Sequence, residues 1–392
     1  MRNQIQSAVR RQLDHVRELR HSLHEIPEPS LEEHKTSALI HTELLELDLE
    51  IHSGLAGTGL VADLQTDRPG GYVILRADMD GLPVTETSRV PHHSQNPGYS
   101  HCCGHDGHSA CLVGAARTLV ELKDRLRGRV RFLFQPAEEV SHGAMEMIET
   151  GVLFDRLPDA MFTLHTWPKL PAGHVGSRPG TITAGSDSFK IHITGVGGHG
   201  ARPHLAKNPL LSMARLIEAL SAMTAPHRVV SPCVAHAGNK MNVIPELGEI
   251  SGTVRTLDGE MREATLREIE QTVTRVCADR GMHCEIDFDA GCPPVAVDPD
   301  LYDLFERVGR ELLGEERVER LERSSMGSED FGHYLTHVPG LLFRLGMGLD
   351  SPELHNPRFD FNDEALESGI AMLVGLALGV TNGDDFLTES TG

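Results

Sequence analysis

Apolar and polar positions along the chain follow two periods. Residues 3–24, 31–48, 107–124, 142–150, 208–223, 260–281, 299–313 and 362–380 place apolar side chains at helical spacing. Between the helices lie short runs that are nearly all apolar: "GLVADLQ" (59–65), "YVILRADMD" (72–80), "VRFLFQPAEE" (130–139), "AMFTLHTW" (160–167) and "LLFRLGM" (341–347). Apolar runs alternating with helices predict an α/β domain built on a central, mostly parallel sheet covered on both faces. The middle of the chain reads differently. "SFKIHITG" (188–195) alternates apolar and polar residues, and further strands are predicted at 228–238, 242–256 and 283–291. With the helices at 208–223 and 260–281 this gives β-α-β-β-α-β, the split βαβ or ferredoxin-like arrangement. Residues 183–291 are therefore read as a second domain, with 1–182 and 292–392 forming two parts of the first. Pro- and Gly-rich stretches border it, "PKLPAGHVGSRPGTITAGS" before and "AGCPPVAVDP" after. A chain of 392 residues also exceeds what one core usually serves.

Charge narrows the partners. There are 36 basic and 57 acidic side chains, a formal net charge of -21, which argues against nucleic acid and anionic membrane surfaces. No run of eighteen apolar residues occurs, so no membrane span is expected. The polar, amphipathic start "MRNQIQSAVRRQLDHVRELRHSL" runs into the first helix and is read as part of it, not as a leader. Seven cysteines without framework spacing suit a reducing compartment, and a cytoplasmic location is expected. Histidine is the unusual component, with 23 copies against one tryptophan.

Several histidines lie beside other chemistry-bearing residues. "HCCGHDGHSA" (101–110) allows a metal site, a thiol nucleophile with its base, or a redox pair. Cys103 and His105, separated by one glycine, could reach a single ion, although a polar loop would read the same way. In "FQPAEE", Glu138 and Glu139 follow a buried strand. A cation would relieve their repulsion, whereas a helix start would tolerate them without one. "RADMD" places Asp78 and Asp80 at a strand end, where a carboxylate can orient a ligand histidine or form a turn. His165 in "LHTWP" and His355 in "LHNPRF" would each be structural if they stood alone. Most of these residues fall at carboxyl ends of strands, the ligand-binding edge of open α/β sheets. Together Cys103, His105, Glu139, His165 and His355 offer sulfur, nitrogen and oxygen donors for two divalent ions such as zinc, manganese, nickel or cobalt. A thiol hydrolase with Cys103 as nucleophile and His105 or His108 as base would leave the glutamates and distant histidines without a role. A non-enzymatic metal-binding protein is the other alternative.

The motifs in series resemble the amidohydrolase branch of the aminoacylase and glutamate-carboxypeptidase metallopeptidases, which includes hippurate hydrolases, auxin-conjugate hydrolases and N-acetyl-diaminopimelate deacetylases. "LRHSLHEIPEPSLEE", "RADMDGLPVTE", "CGHDGH", "FQPAEE", "LHTWP", "GGHGARPH", "NVIPELGEISGTVRTLD", "SSMGSEDFGHYL" and "LHNPRFDFNDEAL" carry the likeness nearly end to end. The resemblance implies a two-metal catalytic domain with an inserted lid that forms a homodimer. It also implies hydrolysis of N-acyl amino acids, with a metallo-carboxypeptidase or dipeptidase acting on short peptides as the alternative. By position, the metal ligands become Cys103, His105, Glu139, His165 and His355, with Glu138 as general base. Asp78 matches the aspartate that orients a ligand, and His199 the lid histidine that reaches a neighbouring subunit's site. Asn242 and Arg255 match lid positions that contact a substrate carboxylate. The sequence departs from the family at Ser100, Cys102, Val140 and His142, which leaves pocket shape and substrate choice open along with the loop at 88–99. Cys102 is expected to be a packed thiol beside the site. A disulfide between it and Cys103 would remove a ligand, so oxidation is expected to inactivate.

Overall fold

The computed structural model describes residues 1–383. The chain divides into two compact units. Among the described residues, the first comprises Met1–Ile182, Ala296–Arg323 and 333–383, and the second Thr183–Val295 with Ser324–Gly332.

The first unit contains α1 (Arg2–His24), α2 (His34–Leu45), β1 (Glu50–Leu55), β2 (Gly59–Gln65), β3 (Tyr72–Asp78), α3 (His105–Glu121), β4 (Arg129–Gln135), α4 (Gly143–Glu149), β5 (Ala160–Trp167), β6 (Val175–Ser177), α5 (Pro299–Leu313), β7 (Val318–Arg320), β8 (Gly340–Gly346) and α6 (Leu366–Asn382). Its sheet runs β1-β2-β4-β3-β5-β8-β6-β7. The centre, β4-β3-β5-β8, is parallel. Antiparallel pairings flank it, β1 with β2 and β2 with β4 on one side and β8 with β6 on the other. Every residue of β3 and β8 is buried, which is why these strands read as unbroken apolar runs. Helices α1, α3 and α6 pack on one another, and α6 also lies against α5, β3 and β5. Asp363–Asn382 is long and apolar enough by composition to cross a membrane, but 83% of its most apolar eighteen-residue window is buried, the setting of a core helix.

Two strands stop two or more residues short of their predicted ends, and both ends belong to the site. β3 closes at Asp78, two residues before Asp80. β4 closes at Gln135, because Pro136 has no N–H for the ladder and Ala137 takes a left-handed φ of 57°. The pattern did not predict β1, β6 and β7. β1 is largely exposed and has no apolar face, and the other two are three residues each.

The second unit is a four-stranded antiparallel sheet in the order Arg228–Ala237, Leu247–Thr256, Gly185–Thr194, His283–Ala290. Helices Pro209–Ser221 and Gly259–Ala278 complete the split βαβ order. Phe189, Ile191 and Ile193 alternate into a core with Met213, Leu216, Leu220, Ile269 and Val273. Each helix starts on a side-chain cap, the first from Asn208 to the Leu210 N–H and the second from Asp258 to the Met261 N–H. The predicted strand 242–256 is divided by Pro245 into Val243–Ile244 and Leu247–Thr256, and the shorter piece pairs with Gly198–His199.

Candidate metal centre

Four loops at the carboxyl edge of the parallel strands build the site. His105 is the first residue of α3. Gly104 before it adopts φ 89°, and a Cβ there would lie 2.6 Å from the Thr166 side chain, so only glycine lets the helix start so close to β5. Thr166 Oγ1 donates to the Cys103 carbonyl at 2.7 Å, which ties the two elements together. After β4 the chain turns through Ala137 (φ 57°) and Ser141 (φ 58°), and this turn presents Glu138 and Glu139. A left-handed non-glycine residue costs about 1–2 kcal/mol, so other contacts must hold the turn. Gly143 closes it: a Cβ at that position would sit 1.7 Å from the Pro136 carbonyl oxygen. His355 is also left-handed, at φ 63°, and its N–H donates to the Cys102 carbonyl at 2.8 Å.

The five expected ligands come together. Cys103 Sγ lies 3.6 Å from His165 Nε2, His105 Nε2 3.8 Å from Glu139 Oε1, and His355 Nε2 3.6 Å from Glu139 Oε1. Ligands about 2.0–2.3 Å from a zinc-like ion in tetrahedral array are about 3.3–3.8 Å from one another. Among the candidate donor groups, Cys103–His105–His165 and Cys103–Glu139–His355 together take in the five expected ligands and share the Cys103 sulfur. Cys102, by contrast, is buried beside the site, and burial raises its thiol pKa.

Hydrogen bonds separate ligand from supporting histidines. His105 donates Nδ1–H to the Asp80 carbonyl at 2.9 Å and to Asp80 Oδ1 at 3.1 Å, so that in the neutral ring Nε2 is the nitrogen with the lone pair. His165 donates Nδ1–H to the Thr166 carbonyl at 2.8 Å and turns Nε2 toward Cys103. His108 has neither nitrogen to spare: Nδ1–H donates to Asp78 Oδ1 at 2.7 Å and Nε2 accepts the Thr166 N–H at 2.9 Å. The contact that orients ligand His105 thus comes from Asp80, which also accepts the Glu139 N–H at 3.0 Å. Asp78, the residue expected in that place, instead holds His108 and accepts Arg76 Nη1 at 2.7 Å. Asp78 Oδ1 is still 3.8 Å from His105 Nε2. The two aspartates are two residues apart at a strand end, and spacing alone does not distinguish them.

The electrostatics favour a cation. Burial, with Glu139, Glu138 and Asp78 nearby, lifts the Cys103 thiol well above its ordinary range. Burial also raises Glu139 to about 7, against the pull of His105. For His105, burial favours the neutral ring, but Asp78, Asp80 and Glu139 outweigh it and push the group up to about 10. His105 Nε2 and Glu139 Oε1 are buried without a hydrogen-bond partner. A thiol, two carboxylates and imidazole lone pairs aimed at the same space, with two orphaned donor atoms among them, fit divalent ions bound through Cys103, His105, His165, Glu139 and His355.

Beneath α3 lies a charged cluster with no signature in the sequence. Arg20, fully buried, donates Nε–H to Asp106 at 3.0 Å and also pairs with Asp360. His24 places Nδ1 2.7 Å from Asp106 and Nε2 3.2 Å from Glu86, so both nitrogens donate and the ring is an imidazolium. Burial opposes that charge, but Asp106 and Glu86 raise the group to about 9. "LRHSLHEIP" already held Arg20 and His24, but partners 86 and 82 residues away cannot be read from local spacing.

In the second unit, His199 pairs with Val243 across the short ladder, and its Nδ1 accepts the Ala201 N–H at 3.0 Å. Asn242 is exposed next to that ladder, its carbonyl accepting the Gly200 N–H at 2.8 Å. Arg255 lies apart from both and donates Nη1–H to Ser328 Oγ at 3.0 Å and to the Met326 carbonyl at 3.3 Å.

Two candidate donor sets that meet at the Cys103 sulfur, with a second carboxylate alongside, fit a dinuclear metal hydrolase. Residues 74–379 match peptidase family M20/M25/M40, and the chain belongs to that family. It is 35% identical to N-acetyl-L-cysteine deacetylase of Bacillus subtilis, covering 89% of this chain and 84% of that protein. It is likewise 35% identical to an IAA-amino acid hydrolase (ILR1-like 4) of Arabidopsis thaliana, over 92% of this chain and 84% of the relative. Among solved structures, the Bacillus subtilis YXEP protein, described as a dinuclear metal binding peptidase from the M20 family, superposes with a TM-score of 0.86. The two are 31% identical, over 95% of this chain and 99% of that one. The protein is a metal-dependent hydrolase of amide bonds.

Proposed function

We propose that this protein cleaves the amide bond of N-acyl amino acids, with Glu138 as general base. The observation that carries the reading is the placement of Glu138. Its Oε2 lies 4.0 Å from Nε2 of His105, and the left-handed turn at Ala137 brings it alongside the candidate ligand Glu139. The relatives named for N-acetyl-L-cysteine and IAA-amino acids support an N-acyl amino acid as the substrate class.

Cys103, His105 and His165 would hold one ion and Cys103, Glu139 and His355 the other, with manganese, zinc, nickel and cobalt as candidates. When bound, the ions supply Lewis-acid polarisation of the amide carbonyl and ease deprotonation of water. Glu138 takes a proton from the attacking water and returns it to the leaving amine nitrogen. Asp80 fixes the His105 tautomer, and Asp78 holds His108 against β5. His199 stabilises the developing oxyanion from a partner subunit's lid, while Asn242 and Arg255 recognise the substrate carboxylate. This assigns residues 183–291 a lid and dimerisation role and residues 1–182 with 292–392 a catalytic one. A homodimer in the cytoplasm is the proposed setting, and the seven free cysteines support a reducing compartment. Neither nucleic acid nor membrane is a proposed partner.

Chelated protein given back manganese, zinc, nickel or cobalt, then screened on N-acetyl, N-benzoyl and N-indolylacyl amino acids and on dipeptides, tests the reading. Metal-dependent release of the free amino acid from N-acyl substrates is expected. Preferential turnover of dipeptides would overturn it in favour of a peptidase.

A further inference from the structure

We infer that Glu33, at the start of α2, is a positioning residue for the Glu138–Glu139 turn; the inference rests on the catalytic role proposed for Glu138. Glu33 is fully buried, and its carboxylate receives three hydrogen bonds from three separate segments. Oε1 accepts the Leu31 N–H at 3.0 Å and the Ala137 N–H at 2.9 Å, the latter across 104 residues of sequence. Oε2 accepts Thr58 Oγ1 at 2.6 Å, from the β1–β2 turn. Both backbone partners are left-handed non-glycine residues, Leu31 at φ 69° and Ala137 at φ 57°. An unpartnered N–H at Ala137 would be buried in a strained conformation, whereas Leu31 is exposed. The one carboxylate oxygen therefore holds two unfavourable backbone conformations in place.

One of these immediately precedes Glu138. With Ala137 in an extended conformation, the next two side chains would leave the space they share with His105. The same loop meets the site a second time. Ser30 Oγ donates to Asp80 Oδ2 at 2.7 Å, on the carboxylate that also binds the Glu139 N–H and His105. The Gly81 N–H donates to the Glu28 carbonyl at 2.7 Å. Residues 28–33 thus brace both loops that carry Glu139 and Asp80. The hydrogen bonds of Glu33 go to Leu31, Thr58 and Ala137 and to none of the candidate ligands, so its hold on the turn runs through the Ala137 backbone.

Every partner of Glu33 is a donor, so a glutamine oxygen can take over the two N–H contacts, and its amide can face Thr58 with the hydroxyl turned. Glu33→Gln should therefore keep the turn and Glu33→Ala should lose it. The test combines hydrogen exchange of the segment 134–143, metal content, and kinetics on an N-acyl amino acid, with all variants metal-loaded. For Glu33→Ala, exchange should accelerate in 134–143 while the α6 core stays protected. Two ions should remain bound, and kcat should fall about 10–100-fold with KM within about twofold, as expected when a reacting group is displaced by a fraction of an ångström to one ångström. Glu33→Gln should match wild type in both exchange and kcat. Unchanged exchange at 134–143, a uniform rise across the first unit, or a glutamine variant as impaired as the alanine one would each overturn the inference. If wild type does not turn over N-acyl substrates, the function proposed for Glu138 fails, whereas the exchange comparison still decides whether Glu33 holds the turn.

Discussion

The first unit buries most of its functional groups, with His355 the exposed exception, and the second exposes His199 and Asn242. Cys103, His105, Glu138 and His165 are each less than a tenth exposed, and their partners are fixed by Asp80, Thr166 and the turn around Ala137. His199 and Asn242 stand on a two-residue ladder and are exposed. A buried cluster of carboxylates and thiol is unfavourable unless a cation joins it, so its composition already identifies the ligand. An exposed histidine on a ladder has no such requirement, and its purpose depends on whatever approaches it. Two kinds of residue follow: groups in the first unit whose loss abolishes chemistry, and groups in the second whose effect depends on a partner.

The sharpest way to break this division is Glu138→Ala. It should retain two ions and lose about 10²–10⁴ in kcat, the usual contribution of a general base. Metal analysis alongside steady-state assays checks this, and a variant at wild-type rate would remove Glu138 from the mechanism. His199→Ala should cost about 10²-fold, comparable to loss of one oxyanion donor, with metal content unchanged. Mixing it with Glu138→Ala should restore part of the activity if His199 acts across subunits, since some heterodimers then carry one intact site. No recovery would confine the second unit's role to its own chain.

A separate effect is expected on stability. His24 titrates at about 9 in the folded protein against 6.5 for a free side chain. Because the folded value is raised, its contribution is complete below about pH 6.5 and disappears as pH rises through about 9. The shift corresponds to a ceiling of roughly 3–4 kcal/mol. Melting of the first unit should therefore drop between pH 7 and 10, and His24→Asn should flatten that slope. An unchanged slope would mean that His24 does not carry the charge linking Asp106 to Glu86.

What could be read from the sequence follows from the range of each interaction. The metal ligands were legible because each sits in a short polar motif at the end of an apolar strand, and their order along the chain matches a family pattern. The parallel core was legible for a related reason: β3, β4, β5 and β8 are buried on both faces and leave continuous apolar runs. Asp80's hold on His105, the Glu33 brace and the Arg20–His24–Asp106 cluster were not. Each is made by contacts between segments distant in sequence, and the residues that make them look locally like turn formers or a solvated helix face. The end of β4 was placed late because Pro136 and Ala137 sit in an apolar run that otherwise continues the strand.

The most direct test is metal binding to chelated protein, measured as ions per chain against restored activity. Wild type should bind two ions, with activity reaching its plateau at two equivalents. Cys103→Ala, which removes the donor common to both sets, should lose tight binding at both positions together with activity. Full hydrolysis by metal-free protein, or two tightly bound ions in Cys103→Ala, would contradict the shared-thiolate dinuclear site.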